Sequence, residues 1–477
     1  MNGSLGGRAV VLGASMAGLL AARVLTDRYD QVTLVDRDEL PLHGDRRPDA
    51  PHIGGQRRGV PQGRHLHALL ARGAQILDDL FPGLTADLTT AGVPSGDLLG
   101  GIRWLVSGQR IARVDIGQPV LFPSRPLLER YVRDRVRALP AVTVVDGAAI
   151  VAVTTTGDRR RVTGVRVRSA TDAEALIDAD LVVDATGRGS RTPGWLAELG
   201  YPSPVTEKIR VDVGYASRSY RLPPDALGSD TVILQNWTPR HPYGAGLAQQ
   251  EGGRHILTLA GMLGEHPPAD PTGFEAFVDR LEFPDIGQAI RYGEPLDAPV
   301  TFRYPASVRH RYERLTRFPD GLLVIGDAIC SFNPFYGQGM SVAALQAQAL
   351  RDVLADGGPR WPRYFAAVAR AVDVPWRIAA GGDLAFPGVA GRRGAMVRLT
   401  NAYLPRLHAA AVHDPTLSAA FVRVTGLLDP PGSLLRPDRL ARVLRPDRLA
   451  RVRPARSPGP GGHSPNSRQV PRSDRAT

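Results

Sequence analysis

Short apolar segments that end at a glycine or a carboxylate recur along this chain, and each precedes a stretch with helical periodicity. The first, RAVVL at 8–12, runs into Gly13 and then into a pattern with leucines on one helical face. A second apolar segment, 31–35, follows and ends at Asp36. This order of strand, glycine turn, helix and strand predicts a βαβ unit.

The N-terminal unit has the spacing of a dinucleotide-binding turn. Gly13 permits a tight turn, Gly18 lets the helix pack closely on the sheet, and the free N–H groups of the first helical turn suit a diphosphate. Asp36 follows at the distance typical of an acid that accepts hydrogen bonds from ribose hydroxyls. Ser15 stands where the usual pattern has its middle glycine. The flanking strands and the spaced acid still predict a nucleotide site.

Two later segments also pair a strand with a glycine loop. Residues 181–184 end in the motif DATGRGSR, and residues 322–325 run into Gly326-Asp327 and the loop NPFYGQGM. A helical pattern resumes near Gly339. A carboxylate at a strand end that faces the free N–H groups of a helix suits a ligand with hydroxyls at one end and developing negative charge at the other. An ordinary strand–turn–helix joint is the alternative for this segment taken alone.

The remaining patterns predict helices and an inserted sheet. Helices are expected over 66–80 and 124–139, the second with Ser124 as its N-cap. Short alternating segments between 201 and 305 predict an antiparallel sheet inserted between parts of the nucleotide domain. Irregular strands are expected over 81–120, further strands over 142–145 and 161–168, and helices over 361–430.

Composition restricts the class of protein. A chain of 477 residues can bury a large core and hold two or more subdomains. Its single cysteine, Cys330, excludes a disulfide framework and a cysteine metal site, and no metal site is expected. No stretch of membrane-spanning length lacks charge, so we expect a cytoplasmic enzyme without a membrane span.

Most of the net charge of +12 comes from the C-terminal tail. Residues 436–477 hold eleven Arg and three Asp, so the body of the chain is only weakly basic. The segment LRPDRLARV occurs twice in tandem, at 435–443 and 444–452. The residues after 453 are expected to be disordered. We favour a solvated extension over a nucleic-acid or membrane contact, because no aromatic residues interleave the arginines.

Two basic features have open interpretations. An arginine-rich loop between 40 and 64 could contact the phosphates of a nucleotide cofactor or could be simply solvated. Arg125, at the start of a predicted helix, is poorly placed for the helix dipole. It could bind an external anion or form a surface ion pair. The arginines of the loop are Arg46, Arg47, Arg57, Arg58 and Arg64.

Three motifs in a fixed order carry a family resemblance over roughly residues 7–350. GASMAG with Asp36, DATGRGSR and IGDAICSFNPFYGQGM resemble FAD-dependent monooxygenases of the para-hydroxybenzoate hydroxylase fold, known as group A. GVPQGRHLHALL, LVVDATGRGSR and FNPFYGQGMS are most similar to the flavin epoxidases of polyether antibiotic biosynthesis. The resemblance implies an α/β fold: a Rossmann-like FAD-binding domain, an inserted antiparallel β-sheet substrate domain and a C-terminal helical region.

The domain boundaries follow from the same resemblance. The expected parts are an FAD-binding domain over 1–80, 121–200 and 306–360, a substrate domain over 81–120 and 201–305, C-terminal helices over 361–452, and a disordered basic tail over 453–477.

The resemblance also implies cofactor contacts by position. Asp36, with Arg37 beside it, would bind the adenosine ribose, and Asp327 would bind the ribityl chain. Arg125 matches an arginine that reaches the flavin side, which favours a functional role for it. Thr186 stands where many relatives have an Asp, so the role that this Asp has in the relatives is not expected in this chain. The other contacts that it implies are Gly13, Ser15, Met16, Gly18 and Ile150, and along the isoalloxazine Pro334, Gly337, Gln338, Gly339 and Met340. Arg64 is a further expected cofactor contact, from its position near the N-terminal unit rather than from the resemblance.

The implied activity is an FAD- and NADPH-dependent monooxygenase with O2 as co-substrate. One oxygen atom would pass from a C4a-hydroperoxyflavin to an electron-rich double bond, and we expect epoxidation of an olefinic polyketide or terpenoid in secondary metabolism. Epoxidation needs no protein base, and the sequence offers no certain catalytic acid or base. We expect a small apolar olefinic or aromatic substrate, no nucleic acid, and a monomer or weak dimer.

Other activities remain open on this scaffold. An aromatic hydroxylase is the first alternative, although phenol hydroxylation benefits from a base that the sequence does not identify. A flavin-dependent double-bond reductase and a flavin-holding module without turnover are further alternatives. A halogenase is disfavoured because residues 374–378, VPWRI, match its tryptophan–isoleucine–proline signature poorly.

Overall fold

The computed structural model describes residues 6–41 and 57–445. The helices of this part are α1 (Met16–Leu25), α2 (Ala71–Leu80), α3 (Leu84–Thr90), α4 (Arg125–Arg137), α5 (Thr192–Glu198), α6 (Pro271–Val278), α7 (Asp285–Ile290), α8 (Gly339–Ala355), α9 (Trp361–Asp383), α10 (Ala395–Ala411), α11 (Pro415–Thr425) and α12 (Pro437–Val443). Its strands are β1 (Gly6–Leu12), β2 (Tyr29–Val35), β3 (Ser95–Asp97), β4 (Ile102–Val106), β5 (Gln109–Arg110), β6 (Pro119–Leu121), β7 (Val142–Val145), β8 (Ala148–Thr155), β9 (Val162–Ser169), β10 (Glu174–Asp178), β11 (Leu181–Asp184), β12 (Val205–Arg221), β13 (Val232–Gln235), β14 (Tyr243–Gln249), β15 (His255–Gly261), β16 (Glu294–Pro295), β17 (Val300–Arg311), β18 (Leu322–Val324) and β19 (Cys330–Ser331).

A five-stranded parallel sheet forms the centre of the nucleotide-binding part. Its strands lie in the order β18-β11-β1-β2-β7. Residues such as Val11, Val182 and Leu323 are fully buried, as is typical of a parallel sheet whose faces are covered. Because the strands are parallel, the loops after β1, β2, β11 and β18 share one edge of the sheet. The predicted Rossmann-like domain is therefore confirmed.

The predicted antiparallel sheet is also confirmed. It runs in the order β19-β17-β12-β15-β14-β13-β4-β5, with β16 paired to β12. The long strands β12 and β17 pair with each other from Val205–Arg311 to Ser217–Val300, next to the edge strand β19. Strands β4 and β5 come from 81–120, so this earlier segment joins the same sheet. The β4–β13 pair is parallel, the one exception among the pairs described for this sheet.

Some element boundaries differ from those expected. The segment 81–120 contains a helix, α3, whose Leu84 and Leu88 are buried on one face. The helix expected from 66 begins only at Ala71. Before it, the backbone nitrogens of Leu66 and Leu70 donate to side chains, Thr258 Oγ1 and Ser341 Oγ, so the segment stays extended. Strand β8 was not predicted; it pairs with β9 in a separate three-stranded sheet.

The C-terminal region is helical, as predicted. Ser124 caps α4 as expected, by accepting from the backbone nitrogen of Leu127. The first copy of the nine-residue repeat contains α12, whose Val443 is buried in a core with α10 and α11. Residues 446–477, with most of the second copy and the whole tail, lie outside the described residues. Within residues 6–41 and 57–445, no helix combines the length and the apolarity needed to cross a membrane.

Candidate functional site

Two glycines let the first turn of α1 approach the sheet edge closely. Gly13 has a φ of +98°, and a Cβ on it would lie 2.7 Å from the carbonyl oxygen of Ala185. A Cβ on Gly18 would lie only 1.7 Å from the carbonyl oxygen of Gly13. Any larger side chain would push α1 away from the end of β1. This is the geometry that a tight turn and close helix packing require.

Asp36 is buried at the end of β2, where its carboxylate closes this turn. Oδ2 accepts from the backbone nitrogen of Ala14 and from Arg57 Nη2, both at 2.6 Å. Arg57 also donates to the carbonyl oxygen of Ala14 at 2.8 Å. Arg37 beside it is exposed, and Ile150 lies in β8, whose first residue bonds to the backbone of Asp36. The structure therefore brings the expected ribose and adenine positions together.

Glu129 of α4 reaches the N-terminus of α1. Its Oε1 accepts from the Ser15 hydroxyl at 2.6 Å and from the backbone nitrogen of Met16 at 3.1 Å. Arg125 donates to the same oxygen at 2.8 Å and to the Ser15 hydroxyl at 3.0 Å. Burial opposes ionisation, but the charges of Arg125 and Arg57 hold the pKa of Glu129 below its ordinary value. A buried carboxylate at these N–H groups indicates that this helix terminus suits an anion.

Sequence reasoning missed Glu129. Its spacing of four residues from Arg125 on one helix was the available signal. One of the two interpretations of Arg125 expected a surface ion pair. Arg125 does form an ion pair, with Glu129, but the pair is buried.

Asp184, at the end of β11, organises the second glycine loop. Its fully buried carboxylate accepts from the backbone nitrogen of Thr186 at 2.9 Å and from the hydroxyls of Ser190 and Thr192, both at 2.6 Å. The Thr186 hydroxyl donates to the same carboxylate. Thr186 therefore stabilises the turn through Asp184.

The third strand end packs directly on α1. Gly326 has a φ of +75°, and a Cβ on it would lie 2.6 Å from the Cβ of Ala17. Its backbone nitrogen donates to Gln346 Oε1 of α8 at 2.8 Å. These contacts fix the turn that carries Asp327.

Asp327 lies beside the second loop. A Cβ on Gly187 would be 3.9 Å from the Cβ of Asp327. Burial raises the pKa of Asp327, and the charges of Arg125 and Arg188 oppose this shift. Asp36 and Asp327 thus lie along the same edge of the parallel sheet, with the N-terminus of α1 between them.

The loop before α8 closes against the segment that precedes α2. Gly337 has a φ of +64°, and a Cβ on it would lie 2.9 Å from the Cβ of Ala68. Gln338 is 2% exposed, and its Oε1 has no hydrogen-bond partner among the described residues. The other expected residues differ in exposure: Met340 is buried, and Pro334 and Gly339 are exposed.

A buried polar network supports this loop from below. Asp383, the last residue of α9, accepts at Oδ1 from Asn333 Nδ2 at 2.8 Å and from the Tyr336 hydroxyl at 3.2 Å. Asn333 accepts from the Tyr215 hydroxyl at 3.3 Å. Burial raises the pKa of Asp383 to about 7, although the bonds from Asn333 and Tyr336 oppose the shift. Sequence reasoning missed this acid, whose one signal was its place after two glycines at a helix end.

Two histidines follow the exposed Arg64. The His65 Nδ1 lies 2.8 Å from the Ser217 hydroxyl, and burial with the nearby Arg64 charge lowers the pKa of His65 to about 4. Burial and the charge of Arg125 lower the pKa of His67 to about 3. Both rings are therefore neutral at pH 7. No group of three His, Cys, Asp or Glu residues that could hold a metal ion occurs in the described part of the chain.

Two known proteins are similar to this chain in sequence over most of its length. The chain is 36% identical over 449 residues to the protein Rv3254 of Mycobacterium tuberculosis, covering 90% of this chain and 92% of the relative. It is 28% identical over 361 residues to kynurenine 3-monooxygenase of Salinispora tropica, covering 73% and 72%. No family model matches the chain.

Solved structures share the fold at low sequence identity. The flavin-dependent brominase Bmp2 aligns with a TM-score of 0.63 at 18% identity, covering 88% of this chain and 93% of that one. PqsL, a probable FAD-dependent monooxygenase from Pseudomonas aeruginosa, aligns with a TM-score of 0.56 at 18% identity, covering 87% and 99%. The chain therefore has the fold of flavin-dependent monooxygenases and halogenases.

Proposed function

The chain belongs to the same family as the protein Rv3254 of Mycobacterium tuberculosis, and from its fold and its site we propose that it is an FAD-dependent monooxygenase. The convergence of three strand ends carries the proposal. Asp36, Asp184 and Asp327 end or follow strands of one parallel sheet, and α1 begins between the outer two. An elongated ligand with a diphosphate at its middle and hydroxyls on each side matches this arrangement.

The residues present fit FAD. Asp36 would accept from the adenosine ribose, the first turn of α1 would face the diphosphate, and Asp327 would accept from the ribityl hydroxyls. Gln338 Oε1 and Arg125 Nε are buried atoms that have no hydrogen-bond partner within the described chain, and a polar cofactor would supply partners for them. Ser15, by bonding to Glu129 and Arg125, would hold the helix terminus in place where a glycine is more usual.

When bound, the flavin would supply the redox chemistry, taking hydride from NADPH and passing one oxygen atom of O2 to the substrate. The chain itself would position the flavin and stabilise the charge that develops on it. The first N–H groups of α8, at Gly339 and Met340, would face the pyrimidine edge of the ring, where negative charge grows on reduction. Gly337 would let the loop lie close to both the ring and Ala68.

We propose epoxidation of an olefinic substrate as the specific reaction. The aromatic surroundings of the loop support an apolar substrate: Trp237 stacks on Phe335 with ring centroids 3.7 Å apart, and Phe386 meets Trp237 edge-on. Epoxidation needs no protein base, because the double bond is already electron-rich.

Hydroxylation of a phenol is the second candidate, and the Asp383 network favours it. Tyr336 is half-buried, whereas Asp383 behind it is fully buried and has a pKa raised by burial to about 7. A phenolic substrate could pass its proton to Tyr336 while Tyr336 passes its own to Asp383. Asp383→Asn would then slow turnover of phenols at least about tenfold and leave polyene turnover unchanged.

The test of the general proposal begins with cofactor retention. Purified protein should carry FAD, and NADPH with a polyene or a phenol under labelled dioxygen should place one labelled oxygen atom in the product. Asp36→Asn and Asp327→Asn should lose FAD affinity, while Asp279→Asn, at an exposed position, should keep it. Folded protein that binds no FAD would overturn the proposal, and oxygen-independent reduction of the substrate would replace it with a double-bond reductase.

A further inference from the structure

One face of α10 is exposed to solvent although its side chains are apolar. Ala395, Leu399 and Ala402 recur at the spacing of a single helix face, and all three are exposed. Met396 borders them; its exposed fraction is 66%, and that of Leu399 is 56%. The outer face of a surface helix is ordinarily polar. We call these four residues the apolar face of α10.

The opposite side of α10 anchors the helix in the molecule. Leu407 and Ala411 are buried in a core that also contains residues of α11. Val397 packs against the cluster around Trp237. The helix is therefore held from one side, and no residue that the structure describes covers its apolar face.

Exposed apolar side chains concentrate around this helix. Leu263 lies against the α9–α10 connection, residues 384–394, where a Cβ on Gly388 would be 2.9 Å from its Cδ1. Leu435 and Leu444 flank α12, which packs on α10. With Met396 and Leu399, these make five of the eight large hydrophobic side chains that are exposed in the described part of the chain. Such a concentration indicates an interaction surface rather than scattered exposure. The other three are Leu176, Val205 and Tyr292.

The surroundings of the apolar face are basic. Between Asp383 and Asp414 the chain has four arginines and no acidic residue. Three of the arginines are exposed, and within the described chain they have no acidic partner: the guanidinium groups of Arg398 and Arg406 donate to backbone carbonyl oxygens. The four are Arg392, Arg393, Arg398 and Arg406. A partner of this surface should therefore be both apolar and negatively charged.

Charge distinguishes between the possible occupants. A second copy of the chain would bring the same arginines to the contact, because a two-fold interface pairs a face with itself. Residues 446–477 hold seven Arg and two Asp, so the tail of the chain has the same sign as the surface. An anionic lipid surface combines negative headgroups with an apolar interior, and it matches both properties.

We infer that α10 docks the protein on an anionic membrane surface. Met396 and Leu399 would enter the boundary between headgroups and acyl chains, and the exposed arginines would meet the lipid phosphates. The helix would lie in the plane of the membrane, because its other side remains packed on the protein. This contact goes beyond the proposed function and needs no cofactor.

The position of α10 connects this surface with the candidate site. Phe386, in the α9–α10 connection, meets Trp237 edge-on. An apolar olefin collects in a bilayer, so docking would bring the aromatic surroundings of the loop near a substrate dissolved in lipid. This step alone rests on the proposed function.

The direct test is co-sedimentation of the full chain with vesicles. We expect vesicles of equal parts phosphatidylcholine and phosphatidylglycerol to bind the wild type at least about tenfold more tightly than pure phosphatidylcholine, and added salt to weaken this binding. Met396→Gln with Leu399→Gln should weaken it at least about tenfold. Arg392→Gln with Arg406→Gln should weaken it by a similar factor.

The matched control lies on another surface. Leu176→Gln with Arg160→Gln removes one exposed apolar and one exposed basic side chain at the three-stranded sheet, and it should leave vesicle binding unchanged. All of the substituted side chains are exposed, so none of these variants should impair folding.

A fluorescent label reports insertion at the helix itself. Cys330, the single cysteine of the chain, is 1% exposed, so Leu399→Cys supplies an accessible thiol that can be labelled selectively. A nitrobenzoxadiazole label at 399 should brighten and shift to the blue when phosphatidylglycerol vesicles are added. The same label on Leu176→Cys should not respond.

Three results would overturn the inference: no vesicle binding by the wild type, binding that neither α10 variant weakens, or a label at 399 that does not respond. Binding that persists in both variants belongs to the basic tail. A wild-type dimer that Met396→Gln with Leu399→Gln converts to a monomer, without vesicle binding, makes the face an interface between copies. Failure of the protein to retain FAD would refute the proposed function and leave vesicle binding unaffected.

Discussion

Glu129 Oε1 lies 3.1 Å from the backbone nitrogen of Met16, so a carboxylate of the chain itself accepts from one N–H of the first turn of α1. Glu129→Ala would leave the buried Arg125 and Arg57 without this charge, and we expect the free energy of unfolding to fall by about 3 kcal/mol. Glu129→Gln should lose less, because its amide oxygen can still accept from Met16. Denaturant unfolding measures both.

The matched control is Glu198→Gln, an exposed acid at the end of α5, which should change the free energy of unfolding by no more than about 0.5 kcal/mol. A loss for Glu129→Ala as small as that of the control would show that the carboxylate does not stabilise these arginines.

The close packing at Gly18 can be tested by comparison with Gly194, where an added Cβ has space. Gly18→Ala places a Cβ against the carbonyl oxygen of Gly13, so α1 must move, and we expect a loss of about 3 kcal/mol or no folded protein. Gly194→Ala, where no atom lies within 4 Å of an added Cβ, should be nearly neutral. Thermal unfolding of the two variants side by side decides the matter; equal stability would contradict the close approach of α1 to the sheet.

The pKa of Asp383 predicts a pH-dependent stability. Its pKa is raised in the folded protein from 3.8 to about 7, so the folded state holds the proton more tightly. The stabilisation is complete below about pH 4 and is lost as pH rises towards 7. Relative to Asp383→Asn, the wild-type protein should lose on the order of 4 kcal/mol between pH 4 and pH 8. If the free energies of unfolding of the two proteins changed with pH in the same way, the raised pKa of Asp383 in the folded protein would be contradicted.

Arg393 holds the connection between α9 and α10. Its guanidinium donates to the carbonyl oxygens of Leu384, Phe386 and Val389 at 3.0, 2.9 and 2.8 Å. Arg393→Ala should speed amide hydrogen exchange across 384–392, because these carbonyls lose their common partner. The neighbouring Arg392→Ala, which removes an exposed side chain, should leave exchange unchanged. Equal exchange in the two variants would mean that packing alone holds this segment.

The parallel sheet was predictable because its strands are short, apolar and followed by a glycine or a carboxylate. β1, β2, β11 and β18 were each visible as such segments, and parallel strands buried on both faces leave this pattern in any sequence. Boundaries were less predictable where side chains replaced backbone partners. Leu66 and Leu70 continue a helical pattern, yet Thr258 and Ser341 take their N–H groups.

The polar groups of the site were only partly predictable. Asp36 and Asp327 follow strands, so their place is encoded locally. Glu129 and Asp383 form hydrogen bonds with Met16 and Asn333, respectively, and each partner is more than forty positions away in the chain. Such contacts depend on how helices pack, and a single sequence does not specify that packing.

The order of strands in the parallel sheet has a consequence for synthesis of the chain. β11 pairs with β1 on one side and with β18 on the other, so it joins residues near 10 to residues near 323. The edge that carries Asp327 cannot close until the ribosome has released β18, and until then one side of β11 lacks its neighbour. A nascent chain would thus pass most of its translation unable to bind a dinucleotide, and the cofactor should not load before β18 has left the ribosome.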